Sequence, residues 1–388
     1  MNETPRGERL HIGIFGRRNA GKSSLINAIA GQDVAVVSSI KGTTTDPVYK
    51  SMELLPIGPV VLIDTPGTDD EGELGNLRVE KTRNILRKTD IALVVVDSTQ
   101  GLMGEDRELI EIFRQTGVKY LVVYSKSDLS ECDNSHEICV SVNSQQSIEN
   151  LKEAIAKLGV NEYDGRLAAD LLEPNDVVVL VVPLDKAAPK GRLILPQQQV
   201  IRDVLEAGAV SIVTRETELT ETLSALKNPP KLVITDSQVF EKVAKTVPAG
   251  IALTSFSILM ARYKGVLEQA VAGARAIDEI KDGDKILIAE ACTHHRQCDD
   301  IGTVKIPKWI EKYTKASPEY EFSTGGDFPQ DLSGFKLIIH CGGCMINARE
   351  MKHRHHLAGR MNIPITNFGV AISHMKGILQ RCIAPFDM

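Results

Sequence analysis

The sequence predicts a parallel α/β fold built in three consecutive parts, and three observations predict it. Apolar runs of strand length alternate with amphipathic stretches along the chain, the pattern of strand–helix–strand units. A glycine-rich loop stands between the first such strand and the first such helix. Two cysteine-bearing segments follow directly on two of the late strands. At 388 residues the chain exceeds one ordinary core, because domains commonly run to about 100–200 residues.

In the first part, residues 1–165, strands are expected at His11–Phe15, Val60–Ile63, Ile91–Val96 and Tyr120–Tyr124. The pattern relaxes around Gly159–Arg166, which marks the first boundary. In the second part, 166–263, strands are expected at Val177–Val182, Ser211–Val213, Leu232–Thr235 and Ile251–Leu253. Helices between them are expected at Gln197–Glu206, Glu216–Leu226 and Gln238–Lys245. This part carries no phosphate loop, metal pattern or nucleophile set, so a structural or self-associating role is expected. The third part, 264–388, is entered through one long helix, about Ser257–Ile280. Strands at Lys285–Ala289 and Lys336–His340 follow, with a helix near Met345–Arg360.

Composition excludes several classes. The hydrophobic fraction of 43% and charged fraction of 25% are those of a globular protein. The longest apolar run, Val177–Leu184, contains a proline and falls far short of the roughly 20 residues of a membrane-crossing helix. Met1–Arg9 is polar and lacks an apolar signal core, so a cytoplasmic location is expected and a membrane is not. A net charge of −6 argues against a broad nucleic-acid grip. Seven cysteines, an odd number, read as thiols and metal ligands rather than as a disulfide framework.

The segment Gly16-Arg17-Arg18-Asn19-Ala20-Gly21-Lys22-Ser23 has the spacing of a phosphate-binding loop, and Ser24 continues it into a helix. Backbone N–H groups of such a loop and the helix N-terminus form an anion site. Lys22 is expected on the β- and γ-phosphates and Ser23 on Mg²⁺. Asp64-Thr-Pro-Gly67 ends the strand Val60–Ile63, with Asp64 suited to Mg²⁺ through water and the Gly67 amide to the γ-phosphate. Thr44, within Gly42-Thr43-Thr44-Thr45-Asp46, can place a hydroxyl on Mg²⁺. Ser125-Lys126-Ser127-Asp128 follows the strand Tyr120–Tyr124, and the Asp128 carboxylate can accept N1–H and N2–H₂ of guanine, a pair adenine lacks. Ser141, opening Ser141-Val142-Asn143, stands where a base-contacting loop is expected. These five elements, in this order, predict the fold class: α/β, with an N-terminal P-loop GTPase domain followed by two smaller parallel α/β domains.

In the third part, Cys292-Thr293-His294-His295 and His340-Cys341-Gly342-Gly343-Cys344 each follow a strand. Ligands bind outside the carboxyl ends of parallel strands, so Cys292, Cys341 and Cys344 form a candidate metal set. The residue types fit a Cys₃His zinc site as well as an iron–sulfur cluster with an exchangeable fourth position.

Asn19, the Gly42-Thr43-Thr44 loop and Asp64-Thr-Pro-Gly67 resemble the GTPases of the tRNA-modification and ribosome-assembly group. That resemblance implies K⁺ held by Asn19 against the phosphates, and K⁺-stimulated hydrolysis. Two positions depart from the patterns. Thr68 replaces the glutamine of Ras-like enzymes, implying slow turnover. Ser125 stands where the group has asparagine, implying looser base binding or looser bracing of the phosphate loop. Taken with Cys-x-His and His-Cys-x-x-Cys, the whole chain resembles the HydF family, the GTPase maturases of FeFe-hydrogenases. This implies a 4Fe–4S cluster on Cys292, Cys341 and Cys344, with His294, His340, Cys298, Asp299 or an exchangeable ligand at the fourth position. It implies GTP/GDP and Mg²⁺ in the first part and a homodimer or higher oligomer through the second. It also implies a diiron precursor as cargo, with two radical-SAM maturases and apo FeFe-hydrogenase as partners, and no nucleic acid. The rival readings are a ribosome- or tRNA-directed GTPase with a zinc-stabilised C-terminal domain, and an iron–sulfur redox enzyme regulated by GTP.

Four features are set aside. Cys132 and Cys139, without partners at metal spacing, read as small buried hydrophobes or exposed thiols, and Cys382 likewise. The basic run Lys352–Arg360 reads as a solvated helix face, with attraction of an anionic cargo or acidic partner as its alternative. His374 reads as a satisfied side chain.

Overall fold

The computed structural model describes residues 6–31, 47–66, 82–130, 132, 138–159, 167–183, 193–291, 300–325 and 327–388. The chain divides into two compact units, Met1–Asp164 and Gly165–Met388.

In the first unit, strands β1 (Leu10–Phe15), β2 (Val48–Leu54), β3 (Gly58–Asp64), β4 (Ile91–Asp97), β5 (Lys119–Ser125) and β6 (Ile138–Val140) form one sheet in the order β2-β3-β1-β4-β5-β6. All pairs are parallel except β2–β3. Every residue of β4 is buried, as a central strand covered on both faces requires. One apolar layer holds Leu25, Ile29 and Leu151, and the other holds Phe15, Ile110 and Phe113. Helices α1 (Lys22–Ala30), α2 (Gly104–Thr116) and α3 (Gln145–Gly159) supply the covering side chains. The four expected strands are present. The two that the pattern did not disclose are the edges: β2 is half polar, and β6 has three residues.

The second unit contains two four-stranded sheets, each wholly parallel. The first has the order β10-β9-β7-β8, from β7 (Val177–Val181), β8 (Val210–Thr214), β9 (Leu232–Thr235) and β10 (Ala252–Ser255). The second has the order β12-β11-β13-β14, from β11 (Lys285–Glu290), β12 (Glu319–Thr324), β13 (Leu337–His340) and β14 (Ile365–Asn367). β12 went unread because its EYEFST sequence is polar, with one buried residue, and β14 because it has only three residues.

The expected continuous helix over Ser257–Ile280 is not formed. It is broken into α4 (Phe256–Tyr263), α5 (Leu267–Ala274) and a 3₁₀ turn, Arg275–Glu279. Gly265 adopts φ +71 between the two helices, and the buried Lys264 ammonium turns inward to donate to the Ile346 carbonyl at 2.9 Å. The break lets both helices lie in one apolar core with α6 (Ala348–Arg360) and α7 (Phe368–Met375). Val179, Phe240, Ile258, Ala270, Met351 and Val370 all belong to it, so it joins the first sheet to helices that pack on the second. α6 starts later than expected, at Ala348, because the Asn347 side chain caps it by accepting from Glu350 N at 3.0 Å.

Helix and strand approach closely at Gly273 of α5, where an added Cβ would lie 2.1 Å from the Ile365 carbonyl oxygen of β14. Gly273→Ala therefore forces helix and strand apart, and we expect a loss of about 1–3 kcal/mol. Denaturant unfolding of the second unit measures it. Gly250→Ala, where the added carbon meets nothing within 4 Å, is the control, expected to stay within about 0.5 kcal/mol.

Candidate nucleotide site and thiolate centre

The strand order of the first sheet reverses at β1, and the phosphate loop leaves the carboxyl end of that strand. Gly16, at φ +143, runs so close to β4 that a Cβ would lie 2.3 Å from the Val95 carbonyl oxygen. Asn19 and Gly21 take left-handed conformations, φ +59 and +89, which curl the chain into the N-terminus of α1. The buried Lys22 ammonium donates to the Gly16 and Arg17 carbonyls, both at 2.8 Å. Ala20 is buried, whereas Asn19 and Ser24 are exposed.

Pairing of Ile14 with Asp64 brings the end of β3 beside the loop, and Ser23 Oγ donates to Asp64 Oδ2 at 3.1 Å. Burial raises the Asp64 pKa, against the Ser23 hydrogen bond and the Lys22 charge. A hydroxyl and a carboxylate in contact beside an ammonium form the polar set that a nucleotide-bound Mg²⁺ requires. Thr44 and Gly67, expected to complete this side, lie outside the described residues, as does Thr68.

The base side is built by the ends of β5 and β6. Ser125 Oγ donates to the Ala20 carbonyl at 2.6 Å, with the Val96 carbonyl oxygen also 3.1 Å away. Serine thus still braces the phosphate loop, with a shorter arm than asparagine. Lys126, at φ +58, pairs with Asp97 at the end of β4. Burial raises the Asp97 pKa, but the bonds from Lys126 and Thr99 outweigh it and hold the carboxyl low. Asp128 Oδ2 accepts from Asn143 Nδ2 at 3.3 Å, and Ser141 Oγ from Asn143 N at 3.2 Å.

The sequence reading missed Arg17, whose guanidinium bonds Asp106 Oδ2 at 3.2 Å, Gln100 Oε1 at 2.8 Å and the Gly101 carbonyl at 3.3 Å. Asp106 is fully buried in the first turn of α2, so this ion pair fastens the phosphate loop to the segment after β4. A second correction concerns Cys132 and Cys139, which are neither lone buried hydrophobes nor free thiols but disulfide-bonded, with Cα atoms 6.1 Å apart. Parallel pairing sets Cys139 opposite Tyr124 on β5, returning the chain to the level of the loop that carries Cys132.

In the second unit, adjacent strands β11 and β13 pair Ala289 with His340. Cys341 follows β13, and its Sγ accepts from Ala291 N at 3.1 Å and Gly343 N at 3.4 Å. Such donors favour the thiolate, the form a metal needs. Cys344 is three residues on, after a left-handed Gly343 at φ +68, and both cysteines are half-buried. Cys292 follows Ala291 directly in sequence but lies, with His294, Cys298 and Asp299, outside the described residues.

His340 is fully buried and engaged at both ring nitrogens. Nδ1 is 2.8 Å from the Cys341 carbonyl oxygen and Nε2 is 3.0 Å from Arg354 Nη1. A guanidinium only donates, so Nε2 accepts and Nδ1–H donates. Burial, then the Arg354 charge, push the His340 pKa down to about 3. The reading of Lys352–Arg360 as a solvated face is corrected here. Lys352, His356 and Arg360 are exposed, but Arg354 and His355 are buried. Arg354 bonds Glu350 at 3.0 Å and the Gly325 carbonyl at 2.8 Å, and stacks on Phe328. The Glu350–Arg354 spacing of four residues is the sequence signal for this pair. His374 bonds Asp278 at 3.0 Å, the satisfied side chain expected, and Cys382 lies in the apolar core, where burial lifts its thiol to about 12.

Two outcomes follow from this geometry. Ser125→Ala leaves the Ala20 carbonyl unpaired, and we expect nucleotide release to accelerate by roughly 5–30-fold, the equivalent of about 1–2 kcal/mol; stopped-flow dissociation of mant-GDP measures it. Burial also lowers the His355 pKa, to about 4. In the unfolded chain both His340 and His355 take a proton near 6.5. Between those values the unfolded state binds more protons, so stability is fully present above pH 6.5 and falls as pH is lowered. The slope is at most about 1.4 kcal/mol per pH unit for each imidazole. Urea unfolding of the second unit at pH 7 and pH 5 checks this, with His355→Leu reducing the slope.

Three family models match the chain. Residues 11–126 match the 50S ribosome-binding GTPase, 167–265 the hydrogen maturase F dimerization domain, and 268–385 the hydrogen maturase F tetramerization domain. The tRNA modification GTPase MnmE of Lactiplantibacillus plantarum is 34% identical over 166 residues, covering 40% of this chain and 35% of that protein. MnmE of Desulforamulus reducens is 36% identical over 144 residues, covering 37% and 31%. This chain thus spans about a third of the length of these curated relatives. Among solved structures, the bacterial selenocysteine-specific elongation factor EF-Sec aligns at 19% identity and a TM-score of 0.34, over 46% of this chain and 33% of that one. The two hydrogen maturase F models together cover more than half of the residues, with a GTPase domain ahead of them. The chain belongs to the hydrogen maturase F family, HydF.

Proposed function

We propose that this protein is a slow, K⁺-stimulated GTPase that acts chiefly as a scaffold. It holds a 4Fe–4S cluster on Cys292, Cys341 and Cys344, accepts a diiron precursor made by two radical-SAM maturases, and delivers it to apo FeFe-hydrogenase. The observation that carries this reading is the Cys341 sulfur at the mouth of two adjacent parallel strands, accepting two backbone N–H bonds within a HydF chain. The donor set fits the group: thiolates bind iron–sulfur clusters, and N–H bonds to their sulfur tune the potential. When bound, the cluster supplies iron with one exchangeable position, a chemistry suited to cargo that must be taken up and released. His294 is the candidate for that position. His340 is the weaker one, because its ring nitrogens are spent on Arg354 and the Cys341 carbonyl.

In the first unit, Lys22 neutralises the phosphates, Ser23 with Asp64 and Thr44 orders Mg²⁺, Asn19 holds K⁺, and Gly67 meets the γ-phosphate. Asp128, with Lys126 and Ser141, selects guanine. Self-association, which the family's domains support, is assigned in part to β8, an edge strand with Val210 and Val213 nearly half exposed. Among the described residues no helix is long and apolar enough to cross a membrane, and we place the protein in the cytoplasm.

The test is anaerobic reconstitution with iron and sulfide, followed by metal analysis, visible absorption and EPR, with GTP turnover measured in K⁺ and in Na⁺. The native chain is expected to hold about four irons and to turn over faster in K⁺. Cys341→Ser loses the iron and keeps turnover, while Lys22→Ala loses turnover and keeps the iron. Colourless protein holding stoichiometric zinc would overturn the scaffold reading in favour of a zinc-stabilised C-terminal domain.

A further inference from the structure

The Cys132–Cys139 disulfide bridges the two segments that build the base side of the nucleotide site. Cys132 stands four residues beyond Asp128, and Cys139 two residues before Ser141. Among the described residues, the other ties between these segments are the short β5–β6 pairing and a few long hydrogen bonds. β6, which carries Cys139, is an edge strand of three residues. Past its end, Ser127 N donates to the Val140 carbonyl at 3.3 Å and Asn143 to Asp128 at 3.3 Å, both long bonds. A covalent tie therefore changes how far the base-side groups are held in place before nucleotide arrives, and pre-organisation of this kind appears directly in affinity.

Both cysteines are half-buried and line an open cleft of about 920 Å³, together with Asp128, Ser144, Gln146 and Ser147. A small thiol or disulfide can thus reach the sulfurs, as exchange requires. In a reducing compartment a disulfide is transient and serves catalysis or redox sensing. The pair shares its cleft with Asp128, a base-side residue, and not with Lys22 or Ser23, so the chemistry we assign it is control of binding rather than of hydrolysis.

We propose that Cys132 and Cys139 form a reversible dithiol–disulfide site, exchanging with low-molecular-weight thiols and disulfides, that sets the lifetime of bound guanine nucleotide. In the oxidising direction one cysteine thiolate attacks a small disulfide, forming a mixed disulfide and releasing one thiol. The second cysteine then displaces the other small thiol. Two electrons and two protons pass to the two released thiols, and the Cys132–Cys139 bond forms. The closed state holds Asp128 and the Ser141 loop together and retains nucleotide, and the opened state releases it faster. The proposal rests on the assignment of Asp128 and Ser141 to the base.

The experiment uses the full-length chain equilibrated anaerobically in glutathione buffers of varied reduced-to-oxidised ratio. Differential alkylation with mass spectrometry reads the state of the two cysteines, and stopped-flow reads mant-GDP dissociation. We expect the pair to pass between dithiol and disulfide across the series, with dissociation roughly fivefold faster in the dithiol state (about 1 kcal/mol). Cys132→Ser and Cys139→Ser should each show the fast rate at every ratio. Thiols that stay alkylatable in excess oxidised glutathione would overturn the proposal. So would equal dissociation rates in the two states, or a redox response that survives in Cys132→Ser. Asp128→Asn tests the underlying assignment separately: unchanged mant-GDP affinity there would overturn the base-side placement and the nucleotide arm with it, while the alkylation readout still reports the thiol chemistry.

Discussion

Parallel strands leave every one of their carboxyl ends on the same side of a sheet, and the chemistry of this chain depends on that constraint. In the first unit the end of β1 opens into the phosphate loop, that of β3 carries Asp64, and that of β4 carries Asp97. The end of β5 carries Ser125, and Ser141 follows the end of β6. In the second unit β11 runs out to Ala291 and β13 to His340 and Cys341. No single strand carries a site. Each site exists because register holds neighbouring ends level, as Ile14 with Asp64 and Ala289 with His340 show.

Buried charge does the local fixing. Arg17 and Asp106 tie the phosphate loop to the first turn of α2, and Arg354 ties Glu350, His340 and the Gly325 carbonyl behind Cys341. Ion pairs of this kind add little net stability over an apolar pair, but removing one partner strands a charge and is strongly destabilising. Their effect is thus to make one arrangement of each loop much better than its neighbours. The Cys341 end is held by a neutral imidazole, because burial disfavours its charged form and the neighbouring Arg354 charge adds repulsion.

What was legible in the sequence is what short-range spacing encodes. Gly16 through Ser23 disclosed the phosphate loop because its chemistry lies within eight consecutive residues, and Cys341 with Cys344 disclosed a thiolate pair for the same reason. Long apolar runs such as β4 disclosed the buried strands. Polar or very short edge strands, β2, β6, β12 and β14, carried too little apolar signal to be read. Contacts between residues distant in sequence were invisible: Arg17 with Asp106, Arg354 with His340, and Ser125 with the Ala20 carbonyl. The Cys132–Cys139 bond was missed for a different reason. The chain between them is short, but whether it folds back depends on β6 pairing with β5, which three residues do not announce. Charge also misled: a basic run reads as a wet surface until packing shows that Arg354 and His355 point inward.

The apolar core of the second unit has a genetic consequence. Val179, Phe240 and Ile258 come from the first sheet's side of the seam, and Met351 and Val370 from helices that pack on the second sheet. Recombination that exchanged the chain at that seam would separate surfaces shaped against one another, leaving each fragment with an uncovered greasy face. The two sheets are therefore expected to be inherited together, with substitutions at the seam compensated across it, whereas the GTPase unit ahead of them has a core of its own and is free to follow a separate ancestry.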